Sequence, residues 1–208
     1  MQTVGLMLCG AVLFLNALML LGHVDQKSAG LFNIFIGAIQ IITPFYVIFT
    51  AGADQWTIFN ASGVFLFGLT FLFVGISNLT NYSSSGIGWF SLWVAVLALA
   101  YSTISFTQFD DVKFGIIWLM WAFLWTLFFL LLALNKNIAV LTGWVTLIEA
   151  LLTATIPGFL ILIGQWDQVS TALAEIISLL FVITFIALYY RTRQTIKYRQ
   201  GSSEPVSA

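Results

Sequence analysis

Phe114-Gly115-Ile116-Ile117-Trp118-Leu119-Met120-Trp121-Ala122-Phe123-Leu124-Trp125-Thr126-Leu127-Phe128-Phe129-Leu130-Leu131-Leu132-Ala133-Leu134 lies between Lys113 and Asn135 and carries no charge. As a helix rising about 1.5 Å per residue, it is long enough to cross the roughly 30 Å hydrocarbon core of a bilayer. A helix apolar all round belongs either in a large protein core or in a membrane. The rest of the chain decides between them. Of its 208 residues 61% are hydrophobic and 7% are charged, whereas a soluble domain carries about 25% charged residues. Seven basic and eight acidic residues cannot clothe a water-soluble globule of this size. The chain is therefore read as an all-α, polytopic membrane protein.

Working outward, apolar runs and polar punctuation predict seven spans, at about 4–22, 29–50, 62–79, 87–106, 114–134, 139–163 and 169–190. These make a single transmembrane domain over residues 1–190, followed by a polar cytoplasmic tail over 191–208 that ends in the small polar run Gly201-Ser202-Ser203-Glu204-Pro205-Val206-Ser207-Ala208. Met1-Gln2-Thr3-Val4 lacks the positive region of a cleaved signal, so the first apolar run is expected to stay as a span. Lys27, Lys136, Arg191, Arg193, Lys197 and Arg199 share one side, and only Lys113 lies on the other, beside Asp54, Asp110, Asp111 and Asp167. By the excess of basic residues on cytoplasmic ends, the N-terminus is outside and the C-terminus cytoplasmic.

The odd spans share a pattern. Leu6, Cys9 and Leu13 in the first, Val64, Phe67 and Phe71 in the third, and Trp118, Trp121 and Trp125 in the fifth stand at i, i+3 and i+7, which is one helix face. A small residue follows each middle member: Gly10, Gly68 and Ala122. Pro44 and Pro157 fall at similar depths in the second and sixth spans. The chain thus reads as three repeated helical hairpins plus one extra helix. Three like faces around an axis can line a narrow conduit, but the same stripes also suit ordinary packing.

Few residues inside the spans carry chemistry. Glu149, in the sixth, has no Lys or Arg in any predicted span to pair with, so a cavity or the bundle interior is expected around it. Asn16, Asn33, Gln40, Thr70, Thr126 and Thr153 can bond between helices or line a path. His23, the lone histidine, is at a span end, and Cys9 is the lone cysteine. Intramembrane zinc or Ser–His protease chemistry lacks its parts. The seventh span has no lysine for a retinal Schiff base, and Pro44 and Pro157 are followed by Phe45 and Gly158 rather than the Gln of seven-span sugar carriers. There is no phosphate-binding glycine loop or metal-ligand cluster. An enzyme is not expected, nor any cofactor, nor, at a net charge of −1, a nucleic-acid partner.

With those residues in view, the chain resembles the amide/urea channel family (AmiS/UreI type), over roughly residues 4–165. The resemblance rests on Asn16 with Val24-Asp25-Gln26-Lys27-Ser28, on Phe67-Gly68-Leu69-Thr70-Phe71-Leu72, on Ile117 to Trp125, and on Ile148-Glu149-Ala150-Leu151-Leu152-Thr153-Ala154 with Ile156-Pro157. It implies a homohexamer in which each protomer has its own pore, narrowed by aromatic and aliphatic side chains. By position these match Leu6, Cys9, Leu13, Phe67, Phe71, Trp121, Leu124 and Trp125, with Glu149 as the matching acid; Trp118 joins them through the repeat. Phe71 stands where the acid-gated members have a Tyr, and Cys9 where they have a larger aliphatic residue. The seventh span resembles the family's longer members.

The function expected is a passive channel for urea or short-chain aliphatic amides, with a proton-coupled carrier using Glu149 as the alternative. The predicted loops on the outer side hold no histidine, so activation by mild external acid through histidine titration is not expected.

Overall fold

A computed structural model describes the backbone of residues 2–201 and the side chains of residues 3–192. Among the described residues there are seven helices long and apolar enough to cross a membrane. They are α1 (Gln2–Leu20), α2 (Gln26–Thr50), α3 (Gln55–Thr80), α4 (Ser85–Thr107), α5 (Val112–Leu132), α6 (Ala139–Leu162) and α7 (Thr171–Gly201). Short turns join them, as expected of antiparallel neighbours.

Aspartates start three of the helices. Asp25, Asp54 and Asp111 accept hydrogen bonds from the backbone N–H groups of Ser28, Trp56 and Phe114, at 2.9, 3.1 and 3.0 Å. Each satisfies one of the amides that a helix start leaves without a partner. The Asp54 cap starts α3 seven residues before the predicted span, because Gln55 to Ala61, too polar to be read as membrane, still packs as helix. Trp56 there meets Phe59 and Phe109 edge to face. Gly22, at φ 82°, ends α1 in a left-handed turn that lets the His23 amide bond the Leu18 carbonyl at 2.8 Å.

The tightest packing falls on three antiparallel pairs: α2 with α3, α4 with α5, and α1 with α6. The first two are chain neighbours, while the third brings the first and sixth spans together, so the close pairs are offset by one helix from the hairpins in chain order. Small residues make the approach possible where lipid gives no hydrophobic drive for association. A methyl group on Gly37 would sit 2.8 Å from the Leu72 amide nitrogen, and one on Gly75 would sit 2.8 Å from the Gly30 carbonyl. One on Gly158 would lie the same distance from the amide nitrogen of Met7. Buried amides and hydroxyls add cross-ties: Asn16 and Asn33 bond each other reciprocally, Gln40 reaches the Gly5 carbonyl, and Ser102 reaches that of Gly115.

The sixth span is not one regular helix. Ala150–Thr155 forms a π-turn between Ala139–Glu149 and Ile156–Leu162. Pro157 follows one residue beyond it; it has no N–H to donate to the preceding turn and its ring crowds the carbonyl there. Hydroxyls take up the disturbed acceptors: Thr153 donates to the Glu149 carbonyl at 2.6 Å, and Thr155 to that of Ala150 at 2.7 Å. The last helix stands apart. Only 6% of its membrane window is buried, and it meets the bundle where Phe181 and Phe185 pack edge to face on Phe123. Its helix runs on to Gly201, beyond the predicted span end; the remaining tail, 202–208, lies outside the described residues.

Candidate functional site

Two cavities enter the bundle from opposite ends. The larger, about 420 Å³, opens toward the acidic loops and is walled by Leu6, Cys9, Gln40, Asn60, Val64, Tyr101, Phe114 and Trp118, with Asp111 at its rim. The smaller, about 90 Å³, opens toward the basic ends and is walled by Leu13, Asn16, Thr70, Phe71, Asn78, Ser91, Leu124, Trp125 and Phe128. Two residues line both: Phe67 and Trp121. Their rings meet edge to face with centroids 4.7 Å apart, which separates the cavities by the thickness of one aromatic contact. Most of the wall comes from α1, α3 and α5, the helices whose stripes repeat in the sequence.

Aromatic rings run through this path as a connected column. Phe59 stacks on Tyr101 at 4.5 Å, Tyr101 on Trp118 at 4.4 Å, and Trp118 meets Trp121 edge to face at 4.8 Å. Phe67 then contacts Trp125 at 4.7 Å and Phe71 at 6.2 Å. Such ring pairs hold one another in offset or edge geometries, each contributing about 0.5–1.5 kcal/mol beyond burial. The column offers ring faces and edges but no fixed charge.

Nine of the ten site residues expected from the sequence line these cavities: Leu6, Cys9 and Trp118 the larger, Leu13, Phe71, Leu124 and Trp125 the smaller, and Phe67 and Trp121 both. Glu149 lines neither. It is fully buried on α6, at the edge of the π-turn, and among the described residues neither carboxyl oxygen has a hydrogen-bond partner. Thr142, Thr146, Glu149 and Thr153 recur at helical spacing and are all buried, a polar face turned into helix packing rather than toward the cavities. The link from Glu149 to the path runs through the backbone: its carbonyl holds the Thr153 hydroxyl, which in turn accepts from the Trp121 indole N–H.

Sequence reading does not single out Tyr101, which comes from an even-numbered helix and so falls outside the odd-helix stripe. Its hydroxyl is bonded to Ser62, and its ring backs Trp118. A signal is present: Ser91, Ala95, Ala98, Tyr101 and Ser105 mark a buried face of α4 at helical spacing. Gln40 reads from the sequence only as a general polar residue; its place beside Cys9 in the larger cavity comes from the α1–α2 packing.

Most formal charges sit in the loops or at the helix ends. On the acidic side, Lys113 donates to the Trp166 carbonyl at 2.8 Å and lies 4.7 Å from that indole ring centroid, tying the start of α5 to the segment after α6. Bonds from the Thr57 hydroxyl hold Asp54 below the usual carboxylate range, and bonds from Ser28 do the same for Asp25. Among the described residues no group of His, Cys, Asp and Glu is placed to hold a metal ion.

A multi-pass helical bundle with cavities from both ends meeting at an aromatic partition has the architecture of a small-solute transporter. The sequence bears this out: residues 1–165 match the AmiS/UreI family of transporters, and the chain belongs to that family. A Rhodococcus erythropolis protein named AmiS2, a transporter by assignment, is 47% identical over 90% of this chain and 91% of its own. The acid-activated urea channel of Helicobacter pylori is 30% identical over 77% of this chain and 97% of its own. The crystal structure of the urea channel from that organism superposes with a TM-score of 0.72, covering 80% of this chain and 99% of the channel. Its closed-state cryo-electron microscopy structure gives 0.73 over 80% and 100%. The relatives found are transporters and channels, and this chain is a multi-pass membrane protein of the same kind.

Proposed function

We propose that this protein is a passive channel for urea and short-chain aliphatic amides. The path runs from the larger cavity, past Phe67 and Trp121, into the smaller one. The observation that carries the reading is the sharing of those two rings by cavities that open at opposite ends. A solute crossing there must shed most of its water. Leaving polar groups without hydrogen bonds costs on the order of 2–7 kcal/mol, and isolated charges cost far more, so ions are turned back. Planar neutral solutes slide between ring faces, where N–H groups find weak acceptors, and weak contacts favour exit. Membership of the AmiS/UreI family and the name of the Helicobacter relative, a urea channel, support the solute class.

In this reading the acidic-loop side faces outward, the tail is cytoplasmic, and the protein sits in a bacterial inner membrane as a hexamer whose protomers each conduct. Nothing in the reading calls for catalysis. Stopped-flow uptake of urea and acetamide into proteoliposomes at pH 7.5, with no gradient but the solute, tests it. Fast, non-saturating flux above that of empty liposomes supports the channel, and background flux for both solutes refutes it.

A second reading, a proton-coupled carrier, draws on the two unpartnered carboxyl oxygens of Glu149. It requires uphill accumulation driven by a pH gradient and lost in Glu149→Gln.

A further inference from the structure

The ring that divides the two cavities is held by a single hydrogen bond from outside the aromatic column. The Trp121 indole Nε1–H donates to Thr153 Oγ1 at 2.8 Å, and the Thr153 hydroxyl donates to the Glu149 carbonyl at 2.6 Å. The directions of both bonds are fixed. An indole nitrogen can only donate. Thr153 has one proton, and with that proton on the carbonyl its lone pair is left facing the indole. All three groups are buried.

Thr153 owes its position to the π-turn Ala150–Thr155. A π-turn adds a residue to the helical circuit and so re-aims the side chains around it by roughly 100° relative to a continuous α-helix. The carbonyl that Thr153 engages, Glu149, lies at the start of the same turn. The irregular turn and the ring are thus parts of one arrangement. The aromatic neighbours of Trp121, Phe67 and Trp118, meet it edge to face at 4.7 and 4.8 Å and permit tilt about those contacts. The bond to Thr153 removes that freedom.

We propose that Thr153 is a positioning residue that fixes the tilt of the Trp121 indole, and that the π-turn of α6 thereby sets the size limit for solutes passing Phe67. This rests on the channel reading above. A ring pinned at its nitrogen admits the thinnest plates and resists bulkier acyl chains; a freed ring swings and admits both.

The test compares wild type, Thr153→Val and Thr153→Ser in proteoliposomes, with urea and butyramide as solutes. Valine matches threonine in shape and lacks the hydroxyl, while serine keeps it. In Thr153→Val the butyramide-to-urea permeability ratio is expected to rise about fivefold, which corresponds to about 1 kcal/mol, the net contribution of one such bond. In Thr153→Ser it stays at the wild-type value. The ¹⁵N–¹H indole resonance of Trp121, identified by its loss in Trp121→Phe, moves toward the unbonded position in Thr153→Val alone. Replacing Trp121 by benzothienylalanine, which has sulfur in place of N–H, removes the bond from the other side and is expected to raise the ratio equally, even if Thr153→Val fails to fold. A conducting wild type whose ratio is unmoved by either replacement, or a serine variant that behaves like valine, overturns the clamp. Background flux of both solutes in the wild type overturns the channel reading itself, and the size limit with it.

Discussion

Gly68→Ala is expected to damage stability and conduction together, because Gly68 both closes the α2–α3 pair and adjoins Phe67. A Cβ built there lies 3.0 Å from both the carbonyl carbon and oxygen of Gln40, against an ordinary contact of 3.4 Å or more. It also meets Ile41 Cδ1 at 2.9 Å. The isoleucine tip can rotate away, but the Gln40 backbone cannot, because Pro44 one turn on already disturbs the ladder there and the Gln40 side chain is tied to Gly5. The helices must therefore part by roughly 0.4 Å at this level. Overpacking of this kind costs about 1–3 kcal/mol. At about 2–4 °C per kcal/mol for a chain of this length, thermal unfolding in detergent should fall by roughly 2–12 °C. The same shift carries α3 away from α2 and presses Phe67 on Trp121, whose rings already touch. An added barrier on the order of 1 kcal/mol lowers urea flux about fivefold. Gly75→Ala separates the two effects: its Cβ lies 2.8 Å from the Gly30 carbonyl in the same pair, but Gly75 lines neither cavity. It should lose stability and keep its flux per folded protein. If Gly68→Ala matches wild type in both melting and flux, the reasoning from helix approach to aperture is wrong.

Other expectations come from the same geometry. Cys9 is the lone cysteine and lines the larger cavity, so inorganic mercury should inhibit urea uptake in wild type and leave Cys9→Ala unaffected; equal inhibition of both would place the thiol off the path. Urea flux should be flat between pH 7.5 and 5.5. Asp25 and Asp54 have folded values held below 3.8 by their capping bonds, so what their caps contribute is complete above that value and is lost only as the pH falls through the lowered one. A severalfold rise in flux on mild acidification would contradict this. Glu149→Gln should leave downhill urea flux within about twofold of wild type, since the carboxyl lines neither cavity; abolished downhill flux, or accumulation against a gradient in the wild type, would favour the coupled carrier.

How much of this is legible in the sequence differs by level. Spans read well because a charge-free run such as Phe114 to Leu134 has one physical solution, whereas ends such as Gln55–Ala61 are misplaced because a capped helix can project past its apolar run. The i, i+3, i+7 stripes of the odd helices all fall on the cavity walls, since period and face are local properties, but other wall residues of those helices such as Leu124 lie outside the stripes. What touches what across the bundle is not. The pairing of α1 with α6 depends on Gly10 and Gly158, whose meaning appears only when the partner backbone is in place. Tyr101 escapes notice for the same reason, and Glu149 can be located in depth but not in direction, because the π-turn beside it shifts the face each residue presents. The hydrogen bond from Trp121 to Thr153 joins positions on two different helices, and no pattern along one chain encodes it.

The slight attachment of α7 has a topological consequence. Six spans return a polypeptide to the face from which it set out; a seventh delivers the remainder of the chain to the opposite one. Because α7 rests lightly on α5 and α6, with Phe181 and Phe185 on Phe123, and its described residues contribute no wall to either cavity, it can act as a ferry for the segment behind it. The four basic residues from Arg191 to Arg199 are thereby carried to the side that also holds Lys27 and Lys136. Anything tethered to that segment is presented at the mouth of the smaller cavity rather than the larger, and a solute leaving there would meet it first.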